Sequence, residues 1–381
     1  MTAANTGREE RDRLRQLFRL FFRLGLTAFG GPAAHIALME RETVEARGWL
    51  TREEFLDLVG ACNLLPGPGS TQVALALGFQ RAGWMGLLTA GVCFIGPATL
   101  ATLALAWAYV RYGGLPQAQG LLYGAKPVMV AIVAGAIWRL GRTALRTWML
   151  AAMGAACLLA AVLGVAPILV LIVAGGFVVL AAGVKRRSKA HGFGAVLMAG
   201  AGAPAAVSLT SILLVFLKLG VVVFGSGYVL LAFLQADLVD RLHWVTKAQL
   251  LDAVAAGQIT PGPVFATATF LGYLIHGWAG AAVATVGIFL PSFGMAAAVG
   301  ALAPRMRRSR MAAAFLDGVN AAAVALMAAV SVSLGRAALV DVWTWAIAVV
   351  SAALLIRWRV NATWLIVGGA GAGMVLKAFA G

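Results

Sequence analysis

Two Pro-Gly-Pro triplets interrupt otherwise apolar sequence: Pro66-Gly67-Pro68 and, 195 residues later, Pro261-Gly262-Pro263. Proline removes a backbone donor and fixes φ, and the residue ahead of it is pushed away from helical dihedrals. At membrane depth such a break is tolerated only where it is packed in protein or lines a polar cavity. Helix-like sequence resumes after each triplet, over 70–80 and 264–275. Each break is therefore expected to hold the N-terminus of a half-helix inside the membrane, where free N–H groups and a partial positive charge favour an anion. A tetrahedral dianion asks for several donors and one or two cations in a water-poor cavity. Gly69, Ser70, Thr71 and Gln72 follow the first triplet, and Thr267 and Thr269 follow the second. The same triplets also suit a plain packing kink, and the hydroxyls suit back-bonding within a helix; the residues alone leave both readings open.

Further candidates surround these breaks. Phe29-Gly30-Gly31-Pro32 permits an unusual backbone path, and Phe224-Gly225-Ser226-Gly227 stands at the same offset of 195. Either the two elements form a second backbone nest facing each Pro-Gly-Pro end, or they let helices pack closely through small residues. Arg23 and Lys218 precede them at equivalent positions. A cation in an apolar segment is a functional-site candidate because its burial is costly, although Arg23 also suits snorkelling to the interface. Lys126 is a further ion-path candidate. Asp57 and Asp252, read as the only acids matched between the two regions, are candidates for neutralising a cation or carrying a proton, as is His35 near neutral pH. Arg142 and Arg336 read as interfacial anchors. Cys62, Cys93 and Cys157 are widely separated in apolar sequence and form no ligand spacing with the histidines, so no metal and no cofactor is expected.

The elements that must position these residues are membrane helices. The chain is 61% hydrophobic and 12% charged, with a mean hydropathy of +0.90; a soluble domain would be about a quarter charged. Long unbroken apolar runs exclude a transmembrane β-barrel, and the polar first residues show no cleavable signal. The formal charge of +16 reads mainly as the positive-inside signal, and no basic stripe interleaved with aromatics points to nucleic acid. At the 195 offset Leu24/Leu219, Gly25/Gly220, Trp49/Trp244, Thr51/Thr246 and the Pro-Gly-Pro triplets match. At 194, after one deletion, so do Gly83/Gly277, Trp84/Trp278, Pro97/Pro291 and Arg142/Arg336. Ordered Trp, Pro and Arg matches with one gap are a duplication, which divides the chain into repeats 1–190 and 191–381.

Cations cluster at Arg139, Arg142, Arg146 and 185–189 in the first repeat, but at 305–310 and 357–359 in the second. They have moved to the equivalent loops on the other side of the unit, so the positive-inside rule makes the repeats antiparallel. The expected fold is an all-α polytopic membrane protein of about 10–13 spans with broken or re-entrant helices. A first helix is expected over 17–38. Broken crossings give six spans per half, with a further poor span over 192–209, and keep the arginine-rich N-terminus inside. Re-entrant hairpins give five spans per half but place that N-terminus outside. The first count is favoured.

Arg23-Leu24-Gly25, Phe29-Gly30-Gly31-Pro32-Ala33-Ala34-His35-Ile36 and Leu65-Pro66-Gly67-Pro68, with Lys218-Leu219-Gly220 and Pro261-Gly262-Pro263 in the second half, resemble the chromate ion transporter family in its fused two-domain form, over about 17–376. The second half departs in having Ser226-Gly227 where the first has Gly31-Pro32. The resemblance implies secondary active export of chromate across the bacterial inner membrane, with chromate resistance, sulfate as a structural mimic and proton coupling. The alternatives are a general sulfate-like oxyanion carrier or a passive anion channel. An enzyme is not expected, since neither paired carboxylates, a nucleophile–base set nor a phosphate-binding G-x-x-x-x-G-K-[ST] is present. The expected partners are the oxyanion and membrane lipid, with a homodimer as the candidate assembly.

Overall fold

The computed structural model describes residues 3–29, 31–182, 207–224, 227, 229–307, 309–358 and 360–380, and all regular structure among them is helical. Gly30, Gly225, Ser226, the cationic segment 185–189 and most of the stretch 192–209 lie outside the described residues. The first repeat comprises α1 (Ala3–Thr27), α2 (Pro32–Glu40) continuing into a π-helical turn (Arg41–Glu45), α3 (Arg52–Asn63), α4 (Gly69–Tyr112), α5 (Pro116–Ala144), α6 (Trp148–Val162) and α7 (Pro167–Ala181). The second replays it as α8 (Leu209–Val222), α9 (Val229–Leu234) with a π-helical turn (Gln235–Arg241), α10 (Lys247–Ile259), α11 (Thr267–Arg307), α12 (Arg310–Ala338), α13 (Val342–Arg357) and α14 (Ala362–Ala380). Helices α4, α5, α11, α12 and α14 are long and apolar enough to cross a membrane.

Capping chemistry repeats with the helices. Thr51 and Thr246 each close a capping box, with Glu54 and Gln249, at the start of α3 and α10. Helices α4 and α11 each fold back on themselves at Ala82-Gly83 and His276-Gly277, where the glycines take φ 55° and 58°. The two arms then touch through small residues: Gly78 lies against Gly86 and Ala90, and Gly272 against Gly280 and Ala284. Lipid supplies no hydrophobic drive between helices, so close van der Waals contact of this kind does the holding. Trp84 and Trp278 emerge exposed just after the bends, at the depth where amphipathic rings favour the membrane interface.

The expected continuous first helix is split by Phe29 to Pro32, because Gly31 sits at φ 80° and Pro32 begins a new helix. The Arg23 guanidinium lies 2.5 Å from the Glu42 carboxylate, whereas an unbroken helix would hold those residues about 28 Å apart. Thus α1 and α2 form a re-entrant pair with the Phe-Gly element at its tip. Arg81 bonds Gln16 at 3.1 Å and lies over the Trp49 ring at 4.8 Å, so the approach to α1, the α2–α3 connection and the α4 bend share one face.

The Pro-Gly-Pro breaks are re-entrant tips as well. Thr260 contacts Thr102 at 3.2 Å and Asp252 contacts Tyr109 at 3.0 Å, so α10 runs antiparallel to the second arm of α4 and enters from the face where α4 ends. The second arm of α11 also opposes that of α4. Phe293 lies beside Gly91, and Ala296 and Val299 join the core of Leu77 and Leu87. The bend at Gly277 therefore returns to the face from which α10 entered. This overturns the favoured broken-crossing count. It also removes the objection to hairpins, because α1–α2 is itself re-entrant and keeps the arginine-rich end of α1 on the cationic face. The halves form an inverted repeat, with two re-entrant pairs entering from each side.

Arg142 and Arg336 are equivalent and exposed at the ends of α5 and α12. Single cysteines at 142 and 336 are expected to react with an impermeant maleimide from opposite faces of oriented vesicles. Labelling from one face refutes the inverted arrangement.

Candidate functional site

The four tips meet crosswise. Gly67 N–H donates to the Val223 carbonyl at 2.6 Å, and Gly262 N–H donates to the Ala28 carbonyl at 2.9 Å. These bonds are equivalent under the 195 offset, and each joins a Pro-Gly-Pro tip of one repeat to the residue ahead of Phe29 or Phe224 in the other. Such reciprocity is what a two-fold relation requires. Gly67 (φ 113°) and Gly262 (φ 90°) occupy backbone that side-chain-bearing residues rarely adopt. A Cβ on Gly262 would stand 2.8 Å from the Ala98 Cβ and 3.5 Å from the Gly25 carbonyl. One on Gly67 would stand 2.8 Å from Gln72 Nε2, 3.2 Å from Ser292 Oγ and 3.5 Å from the Gly220 carbonyl. The first amide of each triplet is thus bound to protein, not held free for an anion. What stays open is one turn further on: neither helix N-terminus after Pro68 or Pro263 has a side-chain cap, and a buried, uncapped helix end invites another acceptor.

Polar side chains gather at the first break. His35 Nε2 lies 3.0 Å from the Ala28 carbonyl and Nδ1 lies 3.2 Å from Ser70 Oγ, while its ring meets Phe94 edge-on. Gln72 Nε2 donates to the Pro66 carbonyl. Thr71 Oγ1, Gln72 Oε1 and Ser292 Oγ are buried without a partner, as are Gln258 Nε2 and Asp252 Oδ1 elsewhere. Orphaned buried polar atoms are uncommon and call for an occupant. Phe29 is on the surface side of its tip, 37% exposed. Of the other candidates at these tips, Gly31 begins α2 and Gly227 lines a cavity of about 10 Å³ beside Gln258 and Thr267.

The cations are paired. Arg23 holds Glu42, which Arg47 also contacts. At the equivalent place Lys218 holds Asp237 at 2.7 Å, with Arg241 at 3.1 Å from the same carboxylate. Glu42 and Asp237 match at the 195 offset, which corrects the reading of Asp57 and Asp252 as the only matched acids; the Glu-for-Asp change hid the pair from an identity search. Burial opposes ionisation of Glu42, but the hydrogen bonds from Arg47 and Arg23 hold its carboxyl below its ordinary value. That contribution is complete above the usual carboxylate range and is lost as pH falls through the depressed value.

Asp57 and Asp252 have diverged in environment. Asp57 is exposed on α3, whereas the Asp252 side chain is 2% exposed on α10, with Lys126 at 3.4 Å and the Tyr109 hydroxyl at 3.0 Å. Sequence reading did not single out Tyr109, Glu42, Asp237 or Ser292 as site residues. Only their contacts with distant segments mark them.

Gly262→Ala is expected to lower thermal stability in detergent by about 1–3 kcal/mol, the usual cost of non-glycine backbone in such a region. Gly96→Ala, in a helix with nothing within 4 Å of the added Cβ, is expected to change it by less than about 1 kcal/mol. Equal melting of the two variants contradicts the tip geometry.

The chromate transporter family model matches residues 15–180 and 210–374, one segment in each repeat. The chain is 35% identical to the chromate transport protein of Cupriavidus metallidurans, over 94% of this chain and 91% of that one. It is 32% identical to the chromate transport protein of Pseudomonas aeruginosa, over 84% and 81%, and 31% identical to a probable chromate transport protein of Synechococcus elongatus, over 91% of each. No solved structure matches it. Matched along both inverted repeats and across nearly the whole length of these relatives, the chain belongs to the chromate transporter family.

Proposed function

We propose that this protein is a secondary active transporter that exports chromate across the bacterial inner membrane and so confers chromate resistance. The observation that carries the reading is the crosswise meeting of four re-entrant tips, which leaves buried helix N-termini without side-chain caps inside the bilayer. Free amides there suit a doubly charged oxyanion, as do half-helix ends in other inverted-repeat carriers. Pro66, Pro68, Pro261 and Pro263 fix the breaks, and the amides and hydroxyls that follow Pro68 bind the substrate. Arg23 and Lys218 supply positive charge at the mouths on opposite faces. Each sits with an arginine on a shared acid, Arg47 on Glu42 and Arg241 on Asp237. Rocking of one repeat against the other then alternates access.

Coupling resides in Asp252. Its carboxylate bridges the repeats to Lys126 and Tyr109 and has one oxygen unpartnered. A buried ion pair inside a membrane is costly unless used. Proton binding to Asp252 would release Lys126 toward the ion path. Asp57, exposed, serves no such relay, and His35 positions Ser70.

Proteoliposomes holding purified protein are expected to carry chromate with saturation, with acceleration by an imposed proton gradient and with competition from sulfate. Non-saturating conductance indifferent to the gradient sinks the carrier reading. Asp252→Asn is expected to keep chromate binding while losing the gradient's acceleration about tenfold or more; undiminished coupling removes Asp252 from that role.

A further inference from the structure

We infer that the chain binds one oxyanion at a time, at the first break only, in a site built from both repeats with Thr71 and Ser292 as its hydroxyl donors. The inference rests on the oxyanion reading above and narrows it to one half of a pseudosymmetric pair. The two breaks share a backbone path and a glycine carbonyl facing each triplet, from Gly220 or Gly25, but the residues after the triplets and the side chain opposite them differ. Gly69, Ser70, Thr71 and Gln72 follow the first triplet where Val264, Phe265, Ala266 and Thr267 follow the second. The residue that faces the triplet glycine from the opposite repeat is Ser292 at the first break and Ala98 at the second. His35 at the first is Leu230 at the second.

The chemistry separates accordingly. At the first break Thr71 Oγ1, Gln72 Oε1 and Ser292 Oγ are all unpartnered, and all three residues are 0% exposed. Ser292 Oγ is aimed at the break, 3.2 Å from where a Gly67 Cβ would stand. Ser70 is committed elsewhere. A carbonyl only accepts, so His35 Nε2 donates to Ala28, and the Nδ1 of the neutral ring then accepts the Ser70 proton. Two hydroxyl donors therefore remain beside the uncapped amides at the start of α4. Gln72, anchored by its Nε2 on the Pro66 carbonyl, stands with Ser292 against Gly67.

At the second break Val264 and Phe265 fill the helix mouth, both buried. Thr267 donates its hydroxyl to the Val264 carbonyl at 2.8 Å, which leaves it no proton to offer. Gln258 Nε2 is orphaned there, as is Thr99 Oγ1 next to Ala98, and Gln258 lines a mostly apolar cavity of about 10 Å³. That is room for one water, not for a tetrahedral ion. The second break is a packing joint that copies the backbone of the first without its ligands.

The test measures equilibrium binding of radiolabelled sulfate and of chromate to purified full-length protein, beside flux in proteoliposomes. The wild type is expected to bind one ion per chain. Thr71→Ala and Ser292→Ala each install what the other repeat already carries at the equivalent position, and each is expected to weaken binding about tenfold with thermal stability retained, as loss of a hydrogen bond to a charged group implies. Thr267→Ala is expected to leave affinity within about twofold. Two ions per chain, or unchanged affinity in both first-break variants while the wild type binds, overturns the single-site inference and leaves the transport reading intact. Sulfate binding with these variant effects but no chromate flux overturns the chromate reading and leaves the site standing. Failure of the wild type to bind either ion overturns both.

Discussion

A backbone amide in lipid must find a partner within the protein, and the two bonds from Gly67 to Val223 and from Gly262 to Ala28 answer that demand for this fold. A Pro-Gly-Pro tip cannot satisfy itself, because its prolines carry no N–H and its glycine turns away from helical dihedrals. The other repeat supplies the carbonyl. Each repeat therefore depends on the other to satisfy its tip. The rest follows from holding them together at the centre. Glycines 25 and 220 let α1 and α8 approach α4 and α11 closely, with a would-be Cβ only 2.6 Å from the Cys93 carbonyl at Gly25 and 2.5 Å from the Ile288 carbonyl at Gly220.

Around this centre charge is distributed in opposition to the symmetry of the backbone. The Arg23–Glu42 and Lys218–Asp237 pairs repeat faithfully, one on each face, because both re-entrant pairs need the same tie between their arms. The buried Asp252 cluster does not repeat: Lys126 has Asn320 as its counterpart and Tyr109 has Ala303. The polar lining of the breaks does not repeat either. A carrier made of two equal halves can divide its labour in this way, with one half retaining ligands and the other retaining packing. Strict symmetry would put two anions close together at low dielectric, where their repulsion is strong.

The neighbourhood of each ion pair also sets how much it contributes. Arg23 is about half exposed, so its pairing is screened and stabilises little by itself. Asp252 is nearly inaccessible, and an unpaired charge there is costly to the fold. The same chemical pair, acid with base, thus acts as a surface tie in one place and as a strongly constrained buried site in the other.

Class, duplication and the two Pro-Gly-Pro breaks are legible in the order of amino acids alone. Apolar content requires membrane helices, Pro-Gly-Pro forbids continuous ones, and the ordered Trp, Pro and Arg matches fix the repeat. The shift of the cationic cluster from the loop at 139–146 in the first repeat to the loop at 305–310 in the second was enough for the inversion. The folded structure settled whether the first helix runs on past Gly31 and whether the breaks cross or return, since a helix interrupted at mid-membrane has the same local sequence in either case. It alone showed that the first glycine amide of each triplet is already bound, and that Lys218 faces Asp237. It also brought Ser292, two hundred residues and one repeat away, to the first break. Those are contacts between distant segments, and periodicity and spacing carry no information about which distant surfaces meet.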